Sequence, residues 1–374
     1  MTSLGTILYY GGFALPDGNA AANRVMANGK ILTQLGWHVI YLGHSGKVSA
    51  LQPLNGHPDM FQEPKPFSTT QWIRKTACFN HLQELMKSIQ DLKMIILYNV
   101  PFATLLRVRN ICSSQSIKVA YDCTEWTAET EGPLLKQWVK RLDCFAIRHW
   151  LPCAADALLV ISHLMETTYS KHPHLLRLPP LINIDNSIWH QPKKPHPDTF
   201  EFFYAGVLDG DKDRLDTIVS AFHTLPFPQA RLRIIGVTKD SFLSFYPQFQ
   251  SLPAVNDNRI LFMGRCTHEE TVQFLLNCNC CIFIRPSDLR NNAGFPTKFV
   301  EAFTCGTPII TTDISDLRQY ANENVHLLSE TDISSLVKAM TAAIVNVSPS
   351  LPLNDTFHYV HYIQAMRTWL GSIL

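Results

Sequence analysis

Short apolar runs alternate with longer amphipathic segments through the first half of the chain, and this alternation stops near residue 185 and restarts near residue 200. Such alternation is typical of βαβ units, whose strands pair into a parallel sheet. The sequence therefore predicts two successive α/β halves. The predicted strands are Leu4–Tyr10, His38–Leu42, Met94–Leu97, Ile117–Tyr121 and Ala157–Ile161, then Phe200–Ala205, Arg231–Ile235, Ile260–Met263, Cys280–Ile284, Pro308–Thr311 and Val325–Leu328.

The interruption, residues 185–199, contains three prolines and predicts an interdomain linker. At 374 residues the chain exceeds what one hydrophobic core normally supports. We expect Rossmann-like domains over residues 1–184 and 200–356, with the carboxyl ends of their sheets facing each other across a cleft. Residues 357–374 have an amphipathic pattern, which predicts a final helix that could pack back on the N-terminal domain.

Composition narrows the class of partner and the compartment. The formal net charge of +1 gives no overall electrostatic basis for binding nucleic acid, although a local basic face stays open. Cys278, Cys280 and Cys281 lie in an apolar run typical of a buried strand, which favours reduced structural thiols over zinc or disulfides. The chain does not open with a signal-peptide pattern, and no run reaches the roughly 20 apolar residues of a spanning helix. We expect a cytoplasmic protein without metal or cofactor.

The stretch from residue 285 to 313 is the most informative motif. A strand is predicted to end near Ile284, a polar glycine-containing loop follows, and a helix is predicted from Pro296 to about Cys305. A loop that opens onto a helix N-terminus can bind a diphosphate or sugar hydroxyls. Glu301, just over one turn into the helix, could accept hydrogen bonds from ribose hydroxyls. The alternative is an ordinary helix with a solvated glutamate.

This segment resembles the donor-binding segment of family-four glycosyltransferases of the GT-B fold. That family has two glutamates with seven residues between them and a Cys-Gly-x-Pro-Val/Ile ending. Here the second glutamate is Glu301, the ending is residues 305–309, and Ala293 stands at the first glutamate position. The Gly-Phe-Pro-Thr-Lys loop is similar to that of bacterial capsule and surface-polysaccharide enzymes. The donor-binding residues that the resemblance implies here are Gly294, Phe295, Pro296, Thr297, Lys298 and Glu301.

A second cluster, residues 203–222, opens the second half. The family typically has an arginine after this strand and a lysine shortly after it, both of which contact the diphosphate. Here Val207 stands at the arginine position, Lys212 is close to the lysine position and Arg214 could supply a second charge. The resemblance implies that Lys212 stabilises the departing diphosphate without a metal. The alternative is a charged turn whose charges cancel.

Other predicted site residues follow strands. The resemblance implies that the strand ends at Gly236 and Arg265, with His268, flank the nucleotide base. It also implies that the loop containing Gly12 approaches the donor phosphate. These positions fit simple strand-to-turn glycines about equally well. In the first half, Asp122 and Glu125 follow a strand and could orient an acceptor hydroxyl. Asp122 could instead cap a helix.

Residues 134–151 interleave lysine and arginine with two tryptophans. This pattern fits an interfacial helix on anionic lipid. The more common arrangement is a helix whose tryptophans pack on the sheet and whose lysines are solvated, and we favour it here.

Taken together, the resemblance implies a retaining, metal-independent transferase that moves a hexose-type sugar from a nucleotide-sugar donor to a glycan or lipid-linked acceptor in polysaccharide biosynthesis. The expected location is the cytoplasm, with peripheral contact at the inner face of the membrane as a further prediction. Two alternatives stay open: a nucleotide-sugar epimerase of the same fold, and a degenerate sugar-nucleotide-binding protein, which the departures at Ala293 and Val207 make conceivable.

Overall fold

The structure, a computed structural model, describes residues 3–66, 80–126, 134–193, 198–208, 212–349 and 351–374. The chain folds into two compact units. Unit 1 comprises Met1–Asn183, Ala293–Phe295 and His358–Leu374, and unit 2 comprises Ile184–Asn292 and Pro296–Phe357.

Unit 1 is built on an eight-stranded sheet among the described residues, with the order β3-β4-β2-β1-β5-β6-β7-β8. All neighbours pair parallel except β3 and β4, which form an antiparallel edge. The central strands are buried on both faces, which explains their near-continuous apolar sequences. The strands are β1 Thr6–Gly11, β2 His38–Ser45, β3 Gln52–Leu54, β4 His57–Pro64, β5 Leu92–Tyr98, β6 Lys118–Cys123, β7 Ala157–Val160 and β8 Leu175–Arg177.

The helices of unit 1 connect these strands. Asn19 caps the first of them by accepting a hydrogen bond from the Ala22 amide at 2.9 Å, and Ser162 caps the fifth in the same way. In chain order the helices are α1 Ala20–Gln34, α2 Asn80–Ser88, α3 Phe102–Ser113, α4 Leu134–Ala154 and α5 His163–Thr168.

Unit 2 contains a six-stranded parallel sheet with the order β11-β10-β9-β12-β13-β14. Counted from its first strand this is 3-2-1-4-5-6, the doubly wound Rossmann order. The strands are β9 Phe200–Ala205, β10 Ala230–Ile235, β11 Ile260–Gly264, β12 Cys280–Ile282, β13 Ile309–Thr312 and β14 Val325–Leu328. The helices are α6 Leu215–His223, α7 Lys239–Phe245, α8 His268–Asn277, α9 Leu289–Ala293, α10 Thr297–Thr304 and α11 Ile333–Val345.

The predicted α/β class with two Rossmann-like sheets is confirmed, and every predicted strand is present. Three strands, β3, β4 and β8, were not predicted. Two of them form the polar edge of the sheet: β3 and β4 carry proline, glutamine and acidic residues and are largely exposed or half-buried. Edge strands bury one side at most, so their sequences lack the apolar run that marks a central strand.

The chain ends in unit 1. A 3₁₀ turn, Tyr359–Tyr362, leads into α12, Ile363–Gly371. The Tyr359 amide donates to the Ile182 carbonyl at 3.0 Å, and the buried indole N–H of Trp369 donates to the His174 carbonyl at 3.0 Å. These bonds and the burial of Trp369 hold the last segment against the first unit.

The predicted linker, residues 185–199, contains a 3₁₀ turn at Ser187–His190 in unit 2, and residues 194–197 lie outside the described part. Trp189 in this turn is buried and meets His268 edge-on, with ring centroids 6.1 Å apart. Trp189 therefore anchors this segment to unit 2, while most of its other described residues are exposed. Among the described helices, none has the length and apolar character needed to cross a membrane.

Candidate functional site

The strand order of unit 2 reverses between β9 and β12, and ligands of doubly wound sheets bind outside the carboxyl ends of the strands at such a point. Gly206 follows β9, and Arg285 lies three residues after β12. The backbone amide of Arg214 donates to the Ile284 carbonyl at 3.0 Å, which ties the chain after β9 to the chain after β12. Charged groups near these two strand ends therefore belong to the expected ligand crevice.

A cluster of three charged side chains occupies this crevice. The Asp213 carboxylate accepts hydrogen bonds from Arg285 Nε at 2.6 Å and from Lys298 Nζ. Tyr204 donates its hydroxyl to the same carboxylate at 2.9 Å, and Lys298 lies over the Tyr204 ring, 4.2 Å from its centroid. The side chains of Asp213 and Arg285 are 9% exposed and that of Lys298 is 14% exposed. We call these three residues the Asp213 cluster.

The Asp213 cluster combines two cations with one anion, a formal excess of one positive charge. Burial lowers the pKa of Lys298, and the Asp213 carboxylate opposes that effect. Burial raises the pKa of the Asp213 carboxyl, but Lys298 and Arg285 outweigh that effect and hold the pKa well below its usual range. Asp213 is therefore ionised at neutral pH. The excess cation, in a crevice that is not fully sealed, suits an anionic ligand such as a diphosphate.

The N-terminus of α10 supplies a second favourable feature for an anion. Pro296 precedes this helix and provides no side-chain cap, so the first-turn amides are not satisfied by a capping side chain. Lys298 is in the first turn of this helix. A Cβ added to Gly206 would lie 2.5 Å from Lys298 Nζ, so the glycine gives the lysine room to reach Asp213. Thr297 and Lys298, both predicted donor residues, thus stand at an uncapped helix end.

Glu301 lies one turn further along α10. Its Oε1 is 3.2 Å from Nε2 of His268, the first residue of α8. In the described part of the chain no other side chain bonds the Glu301 carboxylate. The two side chains are partly exposed, at 21% and 28%. The structure therefore brings together two residues that were predicted separately, Glu301 for the ribose and His268 for the base.

Lys212 and Arg214, the cations predicted to contact the diphosphate, are not part of the Asp213 cluster. Arg214 is paired with Asp216 through two hydrogen bonds of 3.0 Å, which offset its charge locally. Lys212 is half-buried and directly precedes Asp213 in the chain. Val207, at the arginine position of the family pattern, has an exposed side chain. Residues 209–211 lie outside the described part.

The remaining predicted donor residues fall into two groups. In unit 2, Gly236 has φ +89°, and a Cβ there would lie 2.2 Å from the Gly206 carbonyl oxygen, so backbone packing alone requires glycine. Arg265 is exposed after β11. In unit 1, Gly12 is exposed after β1, Gly294 is half-buried and Phe295 is buried.

The two predicted acceptor-side carboxylates are also in unit 1. Glu125 is half-buried in the loop after β6. Asp122 is completely buried and bonds Arg24 through both of its oxygens, at 2.8–3.2 Å. It also accepts the Tyr9 hydroxyl at 2.5 Å. This enclosure favours a role of Asp122 in the fold over the predicted contact with an acceptor hydroxyl.

Sequence reasoning missed Arg285 and Asp213. Arg285 follows a predicted strand at its carboxyl end, and this position is the available signal for a ligand-facing cation. Asp213 carried no signal of its own, because it stands in a run of alternating acids and bases whose pairing depends on where β12 ends and α10 begins. In the described residues no group of three or more His, Cys, Asp and Glu side chains is arranged to hold a metal ion.

Residues 185–350 match the family described as glycosyl transferases group 1. The chain therefore carries a group 1 glycosyltransferase domain. The match spans β9 to α11 and so includes the Asp213 cluster, Glu301 and His268. None of the curated proteins matches the sequence.

Solved structures share the fold of this chain at low sequence identity. Sucrose-phosphate synthase from Thermosynechococcus elongatus is 14% identical with a TM-score of 0.72, over 98% of both chains. Anabaena HepE in complex with UDP and glucose is 14% identical, with a TM-score of 0.67 over 98% of this chain and 100% of that one. A trehalose 6-phosphate synthase from Burkholderia multivorans is 10% identical, with a TM-score of 0.67 over 100% and 99%. The fold is GT-B, and the epimerase alternative is not favoured.

Proposed function

We propose that this glycosyltransferase transfers a hexose-type sugar from a nucleoside diphosphate sugar to a glycan or lipid-linked acceptor, with retention of anomeric configuration and without a metal ion. The observation that carries the proposal is the Asp213 cluster beside the uncapped N-terminus of α10, one helical turn from Glu301. A cationic crevice and a carboxylate at this spacing match the two halves of such a donor. The diphosphate is anionic and the ribose presents hydroxyl donors.

The chemistry follows from the charge that develops. As the bond between the anomeric carbon and the diphosphate oxygen breaks, the leaving nucleoside diphosphate takes the electron pair and gains negative charge. Lys298, Arg285 and Lys212 are the cations of this region that can stabilise it. The acceptor oxygen then bonds the anomeric carbon on the face that the diphosphate leaves, and the acceptor proton passes to a donor phosphate oxygen. This front-face course gives retention and needs no protein nucleophile.

The proposal of metal independence rests on Lys298 and Arg285, which both bond the Asp213 carboxylate. Asp213 could serve a metal only by giving up its bonds to Arg285 and Lys298, because both cations share its carboxylate. Asp209 and Asp211 precede it with one-residue spacing and lie outside the described residues. Metal independence is therefore tested directly. Turnover should persist in EDTA, and loss of turnover that Mg²⁺ or Mn²⁺ restores would contradict the proposal.

UDP is the first nucleotide to test, since HepE, which has the same fold, is known in complex with UDP and glucose. Polysaccharide biosynthesis in the cytoplasm agrees with the cysteines of the described part, which are all free thiols.

The decisive experiment is turnover of a panel of UDP-, GDP- and ADP-sugars with glycan and lipid-linked acceptors. Product formation with one donor class, together with an NMR spectrum showing the donor's anomeric configuration in the first product, is the expected result. An inverted product would exclude the front-face course. Nucleotide-sugar binding without transfer or hydrolysis across the whole panel would favour the degenerate binding protein instead.

A further inference from the structure

One face of α4 is a strip of large apolar side chains in contact with solvent. Leu134, Trp138, Leu142 and Phe145 are spaced by four, four and three residues, which places them on the same side of the helix. Their exposures are 75%, 61%, 63% and 52%. Large apolar side chains that line up in this way form a continuous patch, and such a patch usually marks a binding surface. We call these four residues the α4 strip.

The exposure of the tryptophans contradicts the arrangement favoured from the sequence, in which they pack on the sheet. Trp138 is 61% exposed, and Trp150 is 55% exposed and meets Phe145 edge-on with ring centroids 5.7 Å apart. Trp126, also in unit 1, is by contrast almost completely buried. The core of unit 1 therefore does not need Trp138 or Trp150, and the side of α4 that it does use carries Ala146, Ile147 and Leu151.

The charged residues of α4 are mostly basic. The helix contains Lys136, Lys140, Arg141 and Arg148, and its only acid is Asp143. Arg141 and Arg148 are exposed and, being seven residues apart, flank the α4 strip on the same side. Asp143 turns inward: its carboxylate accepts a hydrogen bond from the Phe102 amide at 2.7 Å, at the N-terminus of α3. The solvent face of α4 is thus apolar in the middle and positive at its flank.

We propose that the α4 strip and its flanking arginines bind the surface of an anionic lipid bilayer. A 21-residue helix of this kind can lie in the interface, with leucine, phenylalanine and tryptophan among the acyl chains and arginine at the lipid phosphates. Tryptophan suits this depth because its ring is apolar and its N–H needs a polar partner. A second copy of the chain fits less well, because a symmetric contact through this face would bring the same arginines together. The inference does not depend on the proposed transfer reaction.

The test is co-sedimentation of the full chain with vesicles of phosphatidylcholine alone and of phosphatidylcholine mixed with phosphatidylglycerol. The wild-type chain should sediment with the mixed vesicles and much less with the neutral ones, and added salt should weaken the binding. The double variant Trp138→Gln/Leu142→Gln should lower the partition coefficient by at least about tenfold. Arg141→Gln/Arg148→Gln should lower it by about fivefold per arginine on mixed vesicles and hardly at all on neutral ones.

Matched control variants distinguish binding through the α4 strip from non-specific binding to vesicles. Val345→Gln/Val347→Gln removes apolar side chains that are 66% and 59% exposed in unit 2, and Lys118→Gln/Arg367→Gln removes exposed cations elsewhere in unit 1. Both should bind as the wild type does. The inference is overturned if the wild type fails to bind mixed vesicles, or if either α4 variant binds as well as its control. Light scattering that shows a dimer lost in Trp138→Gln/Leu142→Gln, without vesicle binding by the wild type, would assign the strip to a second copy instead.

Discussion

Each unit places a buried aspartate near the carboxyl end of its sheet, but the two aspartates are neutralised in different ways. Among the described residues Asp122 of unit 1 pairs with one cation, Arg24, whose NH1 also donates to the Leu178 and Pro179 carbonyls at 2.8 and 3.2 Å. Asp213 of unit 2 is shared by two cations, Arg285 and Lys298. One group is closed and neutral, and the other has one excess positive charge.

The difference separates a structural ion pair from a binding site. Both groups bear the cost of removing charges from water, and both recover it through multiple hydrogen bonds. Only the Asp213 cluster keeps a charge that is not matched within it, and it lies beside an uncapped helix end at the switch point of a sheet. Buried charge alone would have pointed to either aspartate, whereas the charge balance points to Asp213.

The largest effect should come from breaking the buried ion pair between Asp122 and Arg24. Asp122→Asn leaves the Arg24 guanidinium buried without a counter-ion, and we expect the free energy of unfolding to fall by about 3–5 kcal/mol. Chemical denaturation measures it. Asp59→Asn, which removes the partner of His38 in an exposed pair, is the control and should cost less than about 1 kcal/mol. If Asp122→Asn were as stable as this control, the Asp122–Arg24 ion pair would not stabilise the fold.

The next largest effect should come from Glu301 in unit 2 and should appear in the affinity for nucleotide. Glu301→Gln keeps the shape of the side chain but removes the charge that would strengthen two hydrogen bonds from ribose, worth roughly 1.5–3 kcal/mol. Binding of UDP and of the nucleotide sugar should weaken together by roughly ten- to a hundredfold, with little change in Tm. Calorimetric titration decides it, with the exposed Glu323→Gln as control. Equal affinities of Glu301→Gln and wild type would return Glu301 to a solvated helix position.

Lys212→Ala tests whether the positive charge acts on the transition state. We expect kcat to fall by more than about tenfold while the folded state is intact, since the charge on the leaving diphosphate develops during the reaction. Steady-state kinetics of Lys212→Ala and of the exposed control Lys239→Ala provide the measurement. An unchanged kcat would remove Lys212 from the reaction and leave Lys298 and Arg285 as the cations that stabilise the diphosphate.

The smallest effect should come from His268, which we regard as a positioning residue for Glu301. His268→Ala removes a hydrogen bond worth about 0.5–1.5 kcal/mol, so UDP affinity should fall by roughly two- to tenfold. His268→Gln can still donate to the carboxylate and should recover most of the loss. In the Glu301→Gln background, His268→Ala should have little further effect. Independent, additive losses would show that His268 acts without Glu301.

The sequence by itself determined the two α/β halves, their central strands and the helix that begins after Pro296. These depend on local properties: apolar runs long enough to cross a sheet, a proline at the first turn, and a glycine at the helix end. The motif around Glu301 could also be recognised in sequence, because loop, helix and following strand are contiguous there. The polar edge strands could not be recognised, because the pattern of a half-exposed strand is too weak.

Only the tertiary structure decided which charges meet. Asp213 and Arg285 are separated by 72 residues and Asp122 and Arg24 by 98, so no local pattern records either contact. Sequence analysis placed Asp122 among the catalytic candidates and gave Asp213 no role, whereas the structure encloses Asp122 with Arg24 and shares Asp213 between two cations. The physical reason is that the energy of a buried charge depends on its solvent exposure and on every charge around it, and both are set by how distant strands and helices pack.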